Sequence, residues 1–365
     1  MPDSTPRVDG PRTRRIAPAC LAAAVAVALG LAAPAVAQPP PGVRAGEAVP
    51  RDVREVYDRG LQYLAASQTE AGDWPGTGRA DGGAGITGLG LLAFLASGED
   101  PNFGLYSGHV RKALRSIIAA QDATTGIIGS GMYHHGFGML ALAEAYGVVD
   151  ERTLWPAGGK AKGKRPIGQA LELAVRAAIT SQKKNPLGAW RYTPDATDAD
   201  TSVCGAVLVG LLAARNAGIE VPDEAIDRAV AYLKSMTSPS GEVAYSGGLG
   251  GFGESGARTS IAALAFAIAR RKDLPEFKAT VASLAQKLEQ PANYYVDYQR
   301  YYQAQALFQG DPAAWEKWNK LLIRQLKAAQ QPDGSIGGQF GPAVGTSMSL
   351  LALALNYRFL PIYER

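Results

Sequence analysis

At 365 residues, with 47% hydrophobic and only 19% charged, the chain has ample apolar material for a large core, which excludes a mostly disordered protein. The net charge of +4 falls to about +2 beyond residue 37, since four arginines and two aspartates precede that point, so no nucleic-acid or other charge-driven partner is implied. Glycine is abundant, at 43 residues, and a residue that weakens helix interiors points in such number to many turns and caps.

The first recognisable element is a targeting segment. Arg12, Arg14 and Arg15 precede an uncharged run from Ile16 to Ala37, which closes with Ala35-Val36-Ala37 ahead of Gln38. Basic residues, an apolar stretch and small residues at −3 and −1 predict a signal peptide over residues 1–37 and export to the periplasm or beyond. The run is also long enough to anchor the chain in a bilayer. Its alanine content, Pro34 and the cleavage site favour removal, after which no membrane span is expected. Cys20 leaves with the signal, so Cys204 is the only remaining thiol and neither a disulfide nor a cysteine-based zinc cluster is expected. Residues 38–50, with Pro39-Pro40-Pro41, read as a flexible leader.

From residue 51 to residue 365 one pattern recurs. A helix-period segment ends in Gln, a short Gly-containing turn follows, and a second, very apolar segment comes next. The turns are Gln68 to Trp74, Gln121 to Ile127, Gln182 to Trp190, Met236 to Val243 and Gln330 to Ile336, with a degenerate unit near Gln290. A recurrence of roughly 40 to 60 residues marks a repeat architecture, here of six units. The first helix of each unit is amphipathic, as in Val53 to Ala66, Val110 to Ala120 and Trp315 to Ala329. The second is apolar on nearly all faces, as in Ile86 to Ala96, Met139 to Tyr146, Val203 to Ala214 and Met348 to Leu355. A helix apolar all round must be buried on all sides, whereas an amphipathic one can face water. Alternating helices of these kinds predict an inner apolar ring inside an outer amphipathic one. The last unit is as apolar as the others and lacks the polar cap that an open solenoid needs.

The motif Gln-x-x-x-Gly-x-Trp at Gln68, Gly72 and Trp74, with its weaker copies, resembles the repeat of squalene and oxidosqualene cyclases, and similar repeats occur in the prenyltransferase β-subunit. The resemblance spans about Asp52 to Arg365. It implies an all-α fold, an α/α toroid (α6/α6 barrel) of six helical-hairpin repeats. It does not imply one reaction, because complement thioester domains and lyases share the toroid.

If the inner helices run parallel, their N-termini gather at one mouth, where partial positive charge and unpaired N–H groups suit polar ligands. The residues ahead of the inner helices include Tyr133-His134-His135, Asp198 to Ser202, Arg258, and Tyr294-Tyr295. Triterpene cyclases of the resembling kind carry Asp-x-Asp-Asp, whose middle acid protonates an alkene. Asp198 and Asp200 match the first two acids, and Thr201 stands in place of the third. Either aspartate also suits the cap of a helix beginning near Ser202. His134 and His135 could bind a metal beside a carboxylate, shuttle protons or simply open a helix, and as sequence neighbours on a helix at most one is expected to face the mouth. Arg258 could receive an anionic group, while Tyr133 and Thr201 stand beside the other candidates. The cluster of Tyr294, Tyr295, Tyr298, Tyr301 and Tyr302 could line a pocket or pack between helices. The prenyltransferase zinc set is missing, because Asp200 and Cys204 stand four apart and no histidine follows. Cys204-Gly205-Ala206-Val207 departs from the thioester Cys-Gly-Glu-Gln. No metal and no cofactor are expected.

These features lead to an expectation of an exported, non-catalytic binding or scaffolding domain for a hydrophobic or polymeric ligand, with a protein partner allowed. The alternative is an enzyme, terpene-cyclase-like, prenyltransferase-like or glycan-active, with Asp200 as its acid and Asp198, His134 or His135 in support, acting on an isoprenoid or a glycan.

Overall fold

A computed structural model describes residues 49–76, 82–155, 163–248, 255–290, 295–357, 360 and 362. The expected signal segment, nearly all of the leader and Tyr294 lie outside the described residues.

Twelve α-helices form two classes among the described residues, with no strand between them. The outer set is α1 (Arg51–Ser67), α3 (Ser107–Ala119), α5 (Ile167–Lys184), α7 (Asp223–Ser235), α9 (Pro275–Gln286) and α11 (Pro312–Ala329). The inner set is α2 (Ala84–Leu95), α4 (Met132–Ala145), α6 (Thr201–Asn216), α8 (Gly256–Ile268), α10 (Val296–Gly310) and α12 (Pro342–Leu353). In α1 the buried residues are Val53, Val56, Tyr57, Gly60, Leu61 and Leu64, the single stripe that a 3.6-residue period requires. In α4 every residue from His135 to Ala145 is buried, as its apolar sequence demands.

Each inner helix packs on the next, α2 to α4 to α6 to α8 to α10 to α12, and α12 packs on α2. The outer α11 packs on α1. The fold is therefore an α/α toroid, closed on itself rather than capped.

The repeat motif is the device that joins neighbouring units. Gln68 donates from Nε2 to the Gly72 carbonyl of its own turn (2.9 Å) and to the His109 carbonyl on the next outer helix (3.1 Å). Gln121 and Gln182 do the same toward Ala170 (2.9 Å) and Ala225 (2.7 Å). Gln330, in the last unit, reaches the Val56 carbonyl on α1 at 2.9 Å, so one motif both strings the units together and closes the ring. A buried amide with both protons used satisfies carbonyls that would otherwise be stranded. The turn glycine has a matching reason. Gly334 has φ +89°, and a Cβ there would overlap the Arg59 carbonyl of α1. Trp74 and Trp190 fasten each turn to its own helix, through Nε1 to the carbonyls of Leu64 (3.0 Å) and Ala178 (2.9 Å). Met236 breaks the glutamine pattern, and Gly241 alone keeps the close approach to α9 there.

The inner helices begin earlier than their apolar runs suggest. α4 starts at Met132 rather than Met139, and α12 at Pro342 rather than Met348. The extra first turns hold polar and aromatic residues, which no apolar period can reveal. No helix among the described residues is long and apolar enough to cross a membrane.

Candidate functional site

The first turns of all six inner helices open into one cavity of about 800 Å³. Ile86 of α2, Tyr133 of α4, Ser202 of α6, Arg258 of α8, Tyr298 of α10 and Val344 of α12 each contribute to its wall. The cavity is a bowl rather than a tunnel. Below the mouth Phe137 of α4 meets Tyr298 and Tyr301 of α10, the helix opposite, with ring centroids 6.5 and 6.3 Å apart. Phe137 is buried and lines the bowl, and Tyr301 is buried behind it. The tyrosine cluster thus does both things open to it: Tyr298 and Tyr295 line the bowl, and Tyr301 with Tyr302 packs beneath.

Asp200 is the N-cap of α6. Its backbone is extended, and Oδ1 accepts from the Val203 N–H at 2.9 Å, as a capping aspartate does. Oδ1 also accepts from the Ser202 hydroxyl at 2.6 Å, and Ser202 lines the bowl. Oδ2 is buried with no hydrogen-bond partner among the described residues. Burial raises the Asp200 pKa, against the opposing pull of the Ser202 and Val203 donors and of Arg191. The carboxyl is therefore one hydroxyl removed from the ligand space. Tyr133, on the bowl side, lies within electrostatic reach of Asp200 and beside Ser202, and burial raises its pKa well above the usual value.

The other candidates separate. Asp198 is a surface carboxylate, 63% exposed and paired with Arg191 at 2.6 Å, so it is not brought into the bowl. Thr201 is fully buried, and its hydroxyl donates to the Ala244 carbonyl at 2.7 Å, which ties α6 to the segment between α7 and α8 instead of facing a ligand. His135 is buried below the surface of the bowl. Its Nδ1 accepts from the Ile128 N–H of the turn ahead of α4 and its Nε2 donates to the Ala174 carbonyl of α5, both at 3.1 Å, so both nitrogens hold structure. Desolvation lowers its pKa to about 4, which keeps it neutral. His134 does line the bowl. Nδ1 accepts from the Gly85 N–H at 3.1 Å, which places the proton of the neutral ring on Nε2. Arg258 lines the bowl too, half-buried rather than solvated, with Nε donating to the Val243 carbonyl at 2.8 Å.

Ser202, Tyr192, Tyr245, Phe137 and Phe340 are lining residues that the sequence reading did not single out. The hydroxyls of Tyr192 and Tyr245 meet, and the Arg191 guanidinium lies over both rings, 5.4 and 5.6 Å from their centroids. A signal for these two existed, because each stands four residues after the glycine of its turn, Gly188 and Gly241. Cys204 is fully buried, and burial raises its pKa, so it has no thiolate character. No group of three potential metal ligands converges among the described residues.

No curated protein matches the chain in sequence. Among solved structures, an inactive variant of the α-1,6-mannanase GH76A of Salegentibacter sp. HEL1_6, in complex with α-1,6-mannotriose, is similar with a TM-score of 0.61 and 12% identity over 83% of this chain and 99% of that one. The type II terpene cyclase MstE from Scytonema is similar with a TM-score of 0.55 and 15% identity over 85% of this chain and 99% of that one. A single-substitution variant of MstE in complex with its substrate geranylgeranyl dihydroxybenzoate is similar with a TM-score of 0.54 and 15% identity over 85% of this chain and 98% of that one. Identities this low establish the toroid and nothing finer. Residues 54–343 match the family described as a domain of unknown function (DUF6288), and the chain belongs to that family.

Proposed function

We propose that the chain is an enzyme that holds a hydrophobic, isoprenoid-like molecule in its aromatic bowl and delivers a proton to it from Asp200 by way of Ser202. The observation that carries this reading is the 2.6 Å contact between a buried carboxyl of raised pKa and the hydroxyl of a serine that lines the cavity. In the acid form the contact runs the other way: Asp200 donates to Ser202 Oγ, and the serine proton turns toward the bowl. Transfer to a carbon–carbon double bond leaves Asp200 as carboxylate and a carbocation in the cavity. Loss of a proton from a neighbouring carbon ends the reaction and reprotonates the acid. The faces of Tyr133, Phe137, Tyr298 and Phe340 suit a transient cation. The mannanase and the terpene cyclase that share the toroid are enzymes, which supports catalysis over the non-catalytic domain first expected. Glycoside cleavage generally uses two carboxyl groups flanking the bond, and no carboxylate lines the bowl among the described residues, which favours the isoprenoid over the glycan. The reading also takes residues 51–365 as the working domain, released outside the cytoplasm by cleavage before Gln38.

The test is Asp200→Asn with squalene and geranylgeraniol in deuterium oxide, following deuterium at carbon by mass spectrometry. Asparagine caps a helix as well as aspartate, so stability should change by less than about 0.5 kcal/mol at neutral pH. Deuterium incorporation should fall at least about 100-fold, and by about tenfold in Ser202→Ala. Equal incorporation by Asp200→Asn and wild type, or none by the wild type while a prenyl probe binds the bowl, would overturn the catalytic reading.

A further inference from the structure

Two non-glycine residues among those described have a left-handed backbone, and they differ in what explains them. Arg270, at φ 59°, follows the C-cap of α8, where a left-handed residue commonly ends a helix. Tyr295, at φ 56°, is the N-cap of α10, a position that ordinarily takes an extended backbone and a small polar residue. A bulky aromatic in that conformation is unfavourable in itself, and such strain concentrates where a side chain has work to do. The conformation is held by a two-sided clasp. The Tyr295 N–H donates to Gln339 Oε1, and the Gln339 N–H donates to the buried Asp297 Oδ2, both at 3.2 Å. The clasp sets the Tyr295 ring against Phe340, centroids 6.0 Å apart and planes within 16° of parallel. Tyr298 braces Phe340 from below with its edge, at 5.4 Å and 69°. All three rings line the bowl, and Tyr295 remains 47% exposed at its rim.

We infer that Tyr295 and Phe340 form a stacking subsite at the rim for a planar aromatic ring, so that the ligand carries a flat aromatic head above the hydrophobic part that fills the bowl. The inference rests on the proposed function for the hydrophobic part and adds the head group. A sugar ring would also lie on an aromatic face, but its hydroxyls call for carboxylate acceptors that this wall lacks among the described residues. A flat ring needs only the stack.

The test measures calorimetric binding of 2-methyl-1,4-naphthoquinone, and of farnesol as a ringless control, to wild type, Tyr295→Ala and Tyr295→Gly. Both variants should bind the quinone about tenfold more weakly and farnesol within about threefold of wild type. Glycine relieves the left-handed strain and alanine does not, so Tyr295→Gly should melt about 2 °C above Tyr295→Ala while binding alike. Unchanged quinone affinity in both variants, or an equal loss for farnesol, would overturn the subsite. Asp200→Asn should bind the quinone as wild type does. If it also keeps full deuterium incorporation, the catalytic reading fails and the subsite stands.

Discussion

On one side of the ring α4 meets its neighbours through glycine. A Cβ on Gly88 of α2 would come within 2.7 Å of the Phe137 carbonyl, and one on Gly136 within 2.8 Å of the Ala206 carbonyl carbon on α6. On the opposite side α10 has no glycine before its last residue and buries Asp297, Tyr301, Tyr302, Gln303 and Gln305 instead. Gln305 Oε1, and the Ser347 and Ser349 hydroxyls of the neighbouring α12, are buried without hydrogen-bond partners among the described residues. One arc therefore gains cohesion from close backbone approach. The other fills the bore with rings and amides and leaves polar atoms uncompensated, each at a cost of about 1–3 kcal/mol. The glycine arc contributes close backbone packing and the α10 arc contributes buried rings and amides, while side chains from both arcs line the bowl.

The comparison breaks most sharply at Gly136. Leucine there has no room to relax, since the obstacle is backbone, and the expected result is a loss of about 4 kcal/mol or failure to form the ring, read by circular dichroism and gel filtration. Tyr301→Ala attacks the other arc. It should cost about 3 kcal/mol in urea unfolding yet leave a folded ring. Recovery of a native-like Gly136→Leu protein would show that the two arcs do not differ as described.

A third experiment sharpens the difference through pH. The folded-state pKa of His135, about 4, lies below its unfolded value of 6.5. Between these values the unfolded chain binds a proton that the folded chain refuses. The stabilisation is therefore complete above pH 6.5 and is lost as the pH falls toward 4, by up to about 3 kcal/mol. Because His135 joins α4 to α5, hydrogen exchange at pH 4.5 should rise first around Ile128 and Ala174 and leave α10 unchanged. His135→Asn should flatten the pH dependence, and an equally steep dependence in that variant would refute the assignment.

Much of the toroid was legible because its two determinants are local. The switch between one buried stripe and burial on all faces separates α1 from α2, and the Gln and Gly of each turn mark where one unit grips the next. The degenerate unit hid α9 and α10, because α10 carries tyrosine and glutamine where the other inner helices carry leucine and alanine. The site was legible only in part. Asp200 and Tyr298 stood out by type, but Ser202 is an ordinary serine until its hydroxyl is seen between a carboxyl and a cavity. His135 could not be separated from His134 without knowing which side of α4 faces inward. Thr201 looked like a mouth residue because the first turn of α6 was known but the path of the Ala244 loop was not.

The bond from Gln330 to Val56 has a consequence for how the protein comes apart. An open repeat array frays from its terminal units, and its stability is a sum of neighbouring terms. Here the first and last units hold each other, so there is no weakest end from which melting can spread. Opening any one junction strains all the others, and unfolding becomes a single cooperative event, as it would in a far smaller domain.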